Sequence, residues 1–241
     1  MQFLAIGIVL LMMLFAHEGA AQQRKRNNTG YGRSKNMPTY DERVLRYGFQ
    51  LGLHQSRFNV SHSDFFASGK DTTTAVFPRW SPGFMLGLIT SFRLGNELWN
   101  LRLVPNVSFY ERSIEYQYRN NPANVHNEIF ENTMVEFPVL LKYKSVRRGN
   151  HRMYMIGGLS ANFKVAGKKE RLNDLQLQTI NQNVEICYGV GWDLYFEFFK
   201  FAPELRFSHG IPNLLIKNGN RVSASLDRVT THRVALILNF E

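Results

Sequence analysis

Residues 184–196 read VEICYGVGWDLYF, and this stretch decides the fold. Every second residue in it is large and apolar, whereas the positions between them include Glu185, Gly189 and Asp193. Successive side chains of a β-strand point to opposite faces, so the stretch predicts a strand with one apolar face. The other face combines charge with glycine, which is typical of a strand whose polar side lines a narrow interior.

Seven further segments repeat this period of two. The eight predicted strands begin near residues 47, 83, 101, 135, 152, 184, 199 and 233. Each is about 10 to 14 residues long, whereas strands of soluble sheets average about 5 or 6 and a tilted transmembrane strand needs about 9 to 11. The lengths therefore favour a membrane barrel. Only the segment 152–164 leaves its facing open.

The connections between these strands alternate in length. Short turns are expected at 95–97, 146–150 and around Phe198. Long polar loops are expected at 61–82, 113–127, 167–182 and 210–227. This alternation is typical of outer-membrane barrels, with turns in the periplasm and loops outside the cell. We therefore predict an all-β protein, an eight-stranded antiparallel transmembrane outer-membrane β-barrel; a soluble up-and-down barrel of eight strands is the structural alternative.

The N-terminus predicts export. Residues 3–16 form an apolar run that is followed by small residues up to Ala21. This favours a cleaved signal peptide over residues 1–21, because the run is short for a retained spanning helix of roughly 20 residues. The domain prediction is then a basic periplasmic segment over 22–46 and the barrel over 47–241, located in the cell outer membrane.

The formal net charge is +10, from 29 Lys and Arg against 19 Asp and Glu. Charges on the glycine-rich parity should face the lumen and pair there, because an Arg or Lys facing lipid at mid-depth costs about 2–4 kcal/mol. The predicted lumen network consists of Arg102, Glu136, Asp193, Glu204 and Arg206. An eight-stranded interior is just wide enough for side chains to fill it, so we expect no conduit for cargo.

A second basic group lies before the first strand. It consists of Arg24, Lys25, Arg26, Arg33 and Lys35. It is either a solvated tail or a periplasmic arm that contacts an acidic partner. Nucleic acid is not an expected partner for an exported chain.

Catalytic patterns are scarce. The sequence has no GxSxG, HExxH, Walker or GxGxxG motif, and its single cysteine, Cys187, excludes an internal disulfide and a cysteine-rich zinc site. Ser208 and His209 lie near the loop-side end of a predicted strand, where barrel lipid A deacylases keep a Ser and a His. A solvated strand end is favoured there. We expect no enzymatic activity, no cofactor, no bound metal and no small-molecule substrate.

The order of short motifs along the chain resembles the PorT family, also called SprT in gliding bacteria. The segments that carry the resemblance are YGFQLGL (47–53), SPGFMLG (81–87), LRLVP (101–105), EFPVLLKYK (136–144), YMIGG (154–158), FAPELRFSHG (201–210) and LDR (226–228). The resemblance implies an outer-membrane component of the type IX secretion system that supports export of proteases or gliding adhesins. It implies outer-membrane lipid and other secretion components as partners. A stand-alone barrel for adhesion or envelope integrity, and a lipid A-modifying barrel enzyme, are the alternatives.

Overall fold

The computed structural model describes residues 35–62, 73–118, 121–167, 180–216 and 226–241. One turn of 3-10 helix, Tyr40–Glu42, precedes the strands. The strands are β1 (Leu45–His62), β2 (Thr73–Arg79), β3 (Ser81–Arg93), β4 (Trp99–Leu103), β5 (Asn106–Tyr118), β6 (Asn121–Lys144), β7 (His151–Gly167), β8 (Gln182–Tyr195), β9 (Lys200–Gly210) and β10 (Leu226–Phe240). None of the helices among the described residues is long and apolar enough to cross a membrane.

The sheet closes on itself through its first strand. In β1, Gly52 lies opposite Ile237 of β10 on one side and opposite Met85 of β3 on the other. All other neighbours in the ring are antiparallel as well. The closed sheet removes the unpaired strand edges that hydrocarbon cannot satisfy.

We call each complete strand of the barrel, from one end to the other, a stave. Two of the staves are each divided into two segments. Trp80 separates β2 from β3, and Val104 with Pro105 separates β4 from β5. Proline has no N–H to give to the ladder, but hydrogen bonding continues across the break. The Leu88 N–H donates to the Pro105 carbonyl at 3.0 Å, and the Val104 N–H donates to the Pro138 carbonyl at 3.1 Å. The ten segments therefore form eight staves, and the prediction of an eight-stranded barrel is confirmed.

The polarity of the barrel is the reverse of that of a water-soluble protein. In β8, Val184, Ile186 and Val190 are 42–47% exposed on the outer wall. Between them, Glu185 and Asp193 are 1% and 0% exposed in the interior. A wall of exposed aliphatic side chains around a core of buried charge is stable only in apolar surroundings.

Aromatic side chains surround the end of the barrel that carries the short turns. Trp99 packs on Tyr143 with ring centroids 4.7 Å apart, and Phe199 contacts both Phe196 (5.0 Å) and Phe240 (6.4 Å). Such girdles sit at the level of the lipid headgroups in outer-membrane barrels. This girdle marks one membrane interface.

The strand whose facing the sequence left open, β7, is now assigned. Met153, Met155 and Leu159 are exposed on the outer wall, whereas Arg152 and Tyr154 are buried in the lumen. Two adjacent glycines at 157 and 158 blur the alternation in the sequence. The facing is that of the other strands.

Chain connections differ at the two ends of the barrel. The turn end carries the short connections 94–98, 145–150 and 196–199. The other four connections join strands at the opposite, loop end. The loop predicted over 113–127 is wrong. Strands β5 and β6 continue through it, pairing from Asn106 with Glu136 up to Tyr118 with Asn121. Apolar alternation marks only the part of a strand that faces lipid, and the rest of this hairpin extends past that part.

Two neighbouring glycines on β7 supply a matched test of the wall. A Cβ on Gly158 would lie 2.0 Å from the Val139 carbonyl oxygen of β6, whereas a Cβ on Gly157 would meet nothing within 4 Å. Gly158→Ala should destabilise the folded barrel by about 1–3 kcal/mol, since a strand backbone must shift. Gly157→Ala should be neutral or slightly stabilising. Urea unfolding in phospholipid vesicles measures both, and equal midpoints would contradict the strand packing described here.

Candidate functional site

The five side chains of the predicted lumen network all lie in the interior. Arg102, Glu136, Asp193, Glu204 and Arg206 are each at most 2% exposed. They come from strands β4, β6, β8 and β9, which lie along one side of the ring. Strand parity brings them into the lumen, because each occupies the inward position of its stave.

Glu204 lies at the centre of the middle group of this network. Its carboxylate accepts hydrogen bonds from Arg102 at 3.2 Å, from Arg206 at 2.5 Å and from the Tyr154 hydroxyl at 2.9 Å. The Lys142 ammonium lies 3.5 Å from the centre of the Tyr154 ring. These contacts fill the cross-section of the barrel with large side chains.

A second group lies toward the loop end. Arg233 of β10 bridges two carboxylates, with its guanidinium 2.6 Å from Glu136 and 3.1 Å from Glu185. The Tyr110 hydroxyl also donates to Glu136. Here one cation holds two anions.

A third group lies toward the turn end. Asp193 is 2.8 Å from the Lys142 ammonium and 3.8 Å from that of Lys200. Glu241, which follows β10, binds Lys200 at 2.7 Å and Arg102 at 2.6 Å. Paired in this way, the buried charges avoid the cost of an isolated ion in the interior.

The turn-end mouth is covered by residues Asn36–Glu42, which we call the turn-end plug. Its Asp41 is 6% exposed and points into the barrel. Four cations surround this carboxylate. Arg152 forms a close ion pair with it, and the other three are Arg46 at 3.6 Å, Lys144 at 3.9 Å and Arg147 at 3.5 Å. We call these four residues the mouth cluster.

Other contacts hold the plug on the strand ends. The Asn36 N–H donates to the Asn150 side chain at 2.8 Å, and the Asn36 side-chain amide donates to the Tyr195 carbonyl at 3.0 Å. Arg147 donates to the Asn36 carbonyl and stacks 3.7 Å from the Tyr195 ring centre. The Tyr40 hydroxyl donates to Glu241 at 3.0 Å. The plug is therefore tied both to a turn and to the lumen network.

Electrostatics of the plug follow from this enclosure. Burial alone would raise the pKa of Asp41, but Arg152, Lys144 and the Tyr195 hydrogen bond together hold that pKa below its usual value. Burial and the nearby Glu241 raise the pKa of Tyr40 far above its usual range. Asp41 is thus a permanent anion and Tyr40 a permanent neutral donor at physiological pH.

The structure describes only the second part of the predicted periplasmic segment 22–46, which includes the plug. Arg24, Lys25, Arg26 and Arg33 lie outside the described residues, and Lys35 is exposed. Residues 36–42 are held on the barrel mouth with Asp41 buried, and β1 begins at Leu45 rather than at 47. Asp41 and its ring of cations supply the reason.

Several residues of the site are not predicted from the sequence. Lys144 and Arg152 flank the turn predicted at 146–150, but both point inward and are 1% and 3% exposed. Arg46 and Arg233 occupy inward positions that strand parity alone could have assigned. Asp41 had no such signal, because it lies outside every strand.

The residues considered for catalysis do not assemble. Ser208 is buried in the lumen with its hydroxyl 3.3 Å from Arg233, whereas His209 points to the outer wall and contacts Tyr188 at 2.9 Å. Adjacent strand residues face opposite ways, so this Ser and His cannot act as a pair. The sequence SHSD over 61–64 also combines a hydroxyl, an imidazole and a carboxylate, but residues 63 and 64 lie outside the described residues. Within the described ranges, no group of three or more His, Cys, Asp or Glu side chains is placed to hold a metal ion.

Comparison with known proteins gives a family. The sequence profile of the outer membrane protein beta-barrel domain matches residues 20–215. Neisserial surface protein A is 9% identical, with a TM-score of 0.43 over 82% of this chain and 98% of that chain. Outer membrane protein OprG of Pseudomonas aeruginosa is 10% identical, with a TM-score of 0.46 over 81% of this chain and 92% of that chain. No curated protein matches the sequence.

A filled lumen has a direct electrical consequence. Arg102 and Glu204 block the middle of the barrel and the turn-end plug covers one mouth. The purified protein in planar bilayers should show no stable conductance, in contrast to an open porin of 16 to 18 strands measured in the same bilayer. A large steady conductance would mean that the lumen side chains leave a continuous aqueous path.

Proposed function

Since the chain belongs to the outer membrane protein beta-barrel domain family, we propose that it is a non-enzymatic component of the type IX secretion machinery in that membrane. In this role it supports the export of cargo such as secreted proteases or gliding adhesins. The ordered motifs that resemble the PorT family, from residues 47–53 to 226–228, support the assignment to this pathway. The proposed partners are outer-membrane lipid and other components of the same machinery.

The observation that carries this proposal is the closed, charge-filled lumen beside a cation-rich periplasmic mouth. Arg102 and Glu204 leave no passage for a polypeptide, so the barrel acts through its surfaces. At the turn end, Lys35, Arg43 and Arg148 are exposed around the plug. A basic surface of this kind favours an acidic neighbour, with an attraction that salt weakens.

A stand-alone role in adhesion or envelope integrity is the second candidate. The hairpin of β5 and β6 favours it, since β6 has 24 residues and a transmembrane strand needs only about 9 to 11. The remainder of the hairpin projects at the loop end, where it is accessible from outside the cell. A lipid A-modifying enzyme is the third candidate, and the opposite facing of Ser208 and His209 argues against it.

A deletion strain distinguishes these candidates. Loss of the gene should abolish extracellular protease or adhesin export and leave the mass spectrum of lipid A unchanged. Full export from the deletion strain would contradict the secretion role. Loss of surface attachment with normal export would instead support the stand-alone candidate, and a changed lipid A spectrum would support the enzyme.

Complementation then tests whether the basic segment contributes. One variant replaces Arg24, Lys25, Arg26 and Arg33 with Gln, which keeps the length of the segment. We expect it to insert normally, shown by heat-modifiable mobility in the outer-membrane fraction, and to restore export poorly. Arg93→Gln is a control for position, since it removes one cation elsewhere in the turn-end half of the barrel. Equal export by the two variants would reject a docking role for the segment.

A further inference from the structure

We propose that the turn-end mouth is a binding site for carboxylate side chains of an acidic peptide segment of a periplasmic partner. In this structure the site is filled by Asp41 of the chain itself. The site is built from the mouth cluster, Arg46, Lys144, Arg147 and Arg152. This inference rests on the same cation-rich mouth as the proposed function and names the chemistry of the partner there, but its test is a binding measurement that does not depend on the secretion pathway.

Cations are in surplus in the half of the lumen nearer the plug. In the ion pairs of the middle and turn-end groups, Asp41, Asp193, Glu204 and Glu241 supply the carboxylates. The cations paired with them are Arg46, Arg102, Lys142, Lys144, Arg147, Arg152, Lys200 and Arg206. Among the described residues, eight side-chain cations therefore face four side-chain carboxylates. The loop-end group shows the reverse, with Arg233 between two carboxylates, so this surplus lies on the side of the plug.

Two of these cations have hydrogen-bond donors with no acceptor among the described residues. They are Arg46, at all three guanidinium nitrogens, and Lys144, at its ammonium. These side chains are 3% and 1% exposed, and both face Asp41. A buried donor of this kind without an acceptor is costly. A peptide that carries two neighbouring carboxylates could take the place of Asp41 and satisfy these donors as well.

The plug, which carries Asp41 into the site, is built so that it can be exchanged for another ligand. The plug contains one turn of 3-10 helix, and its N-cap residue Thr39 makes no side-chain capping bond. Met37 adopts φ 48, a left-handed conformation that strains a residue other than glycine. Arg43 and Val44, which join the plug to β1, are exposed. A short, strained segment with exposed joints is suited to lifting as a unit.

The contacts of the site with Asn36 and Asp41 match an acidic peptide better than a free anion. The site already binds a carboxylate carried on a peptide, and it also reads the backbone of that peptide. Arg147 donates to the Asn36 carbonyl, and the Asn150 side chain accepts from the Asn36 N–H at 2.8 Å. An acidic peptide reproduces the carboxylate and both backbone contacts, whereas a free phosphate reproduces only the charge. Guanidinium groups also match the planar fork of a carboxylate.

The test uses the full chain in detergent micelles and a fluorescein-labelled peptide of alternating Asp and Gly. Asp41→Asn removes the internal competitor and keeps its size, so the peptide should bind on the order of tenfold more tightly than to the wild type, as expected when a larger fraction of the protein is competent to bind. Glu42→Gln is the matched control, since it removes the same charge from the exposed neighbour in the same helical turn. Fluorescence anisotropy gives the affinities, and heat-modifiable mobility confirms that each barrel is folded.

A second set of variants assigns the site. In the Asp41→Asn background, Lys144→Met and Arg152→Met should each abolish the gain in affinity, whereas Arg148→Met, on the exposed part of the same turn, should leave it intact. Hydrogen exchange of residues 36–43 in the wild type should rise when the peptide binds. Equal affinity of the Asp41→Asn and Glu42→Gln proteins, unchanged exchange, or binding of inorganic phosphate with no binding of the peptide would each overturn the proposal.

Discussion

Arg102, Glu204 and Arg206 form an ion-paired chain across the middle of the lumen, and the wall around them depends on such pairs. In a narrow barrel surrounded by hydrocarbon, a charged side chain either points inward or costs about 2–4 kcal/mol at mid-depth. Once inward, it needs a partner, because removing one member of a buried pair costs about 3–5 kcal/mol. The apolar outer wall and the charged interior are therefore two results of one constraint.

The distribution of these charges gives the barrel two unlike halves. Toward the loop end, Arg233 holds Glu136 and Glu185. Toward the turn end, cations outnumber carboxylates, and Asp41 of the plug supplies part of the missing negative charge. Since short turns face the periplasm in this class of protein, the cation-rich half opens to the periplasm. Charge pairing in the lumen thus connects the stability of the barrel to its proposed docking role.

The sequence was sufficient for the barrel and for the facing of most strands, because the period of two is strict wherever one face meets lipid. Glu185 and Asp193 could be placed in the lumen from parity alone, as their exposures of 1% and 0% show. The plug could not be found in this way. Asp41 lies more than 100 residues of sequence away from three of the four residues of the mouth cluster, and no local pattern records those contacts. The β5–β6 hairpin was missed for a related reason, since polar strand continuations carry no apolar period.

Oxygen accessibility along β8 tests the central claim most directly. Spin labels are placed one at a time at Asn183, Val184, Glu185, Ile186 and Val190 in a Cys187→Ser background, with the protein in lipid bilayers. We expect oxygen accessibility typical of hydrocarbon at 184, 186 and 190. We expect low accessibility, both to oxygen and to a water-soluble nickel complex, at 183 and 185. High oxygen accessibility at the odd positions, or no period of two, would contradict a charge-filled lumen inside an apolar wall.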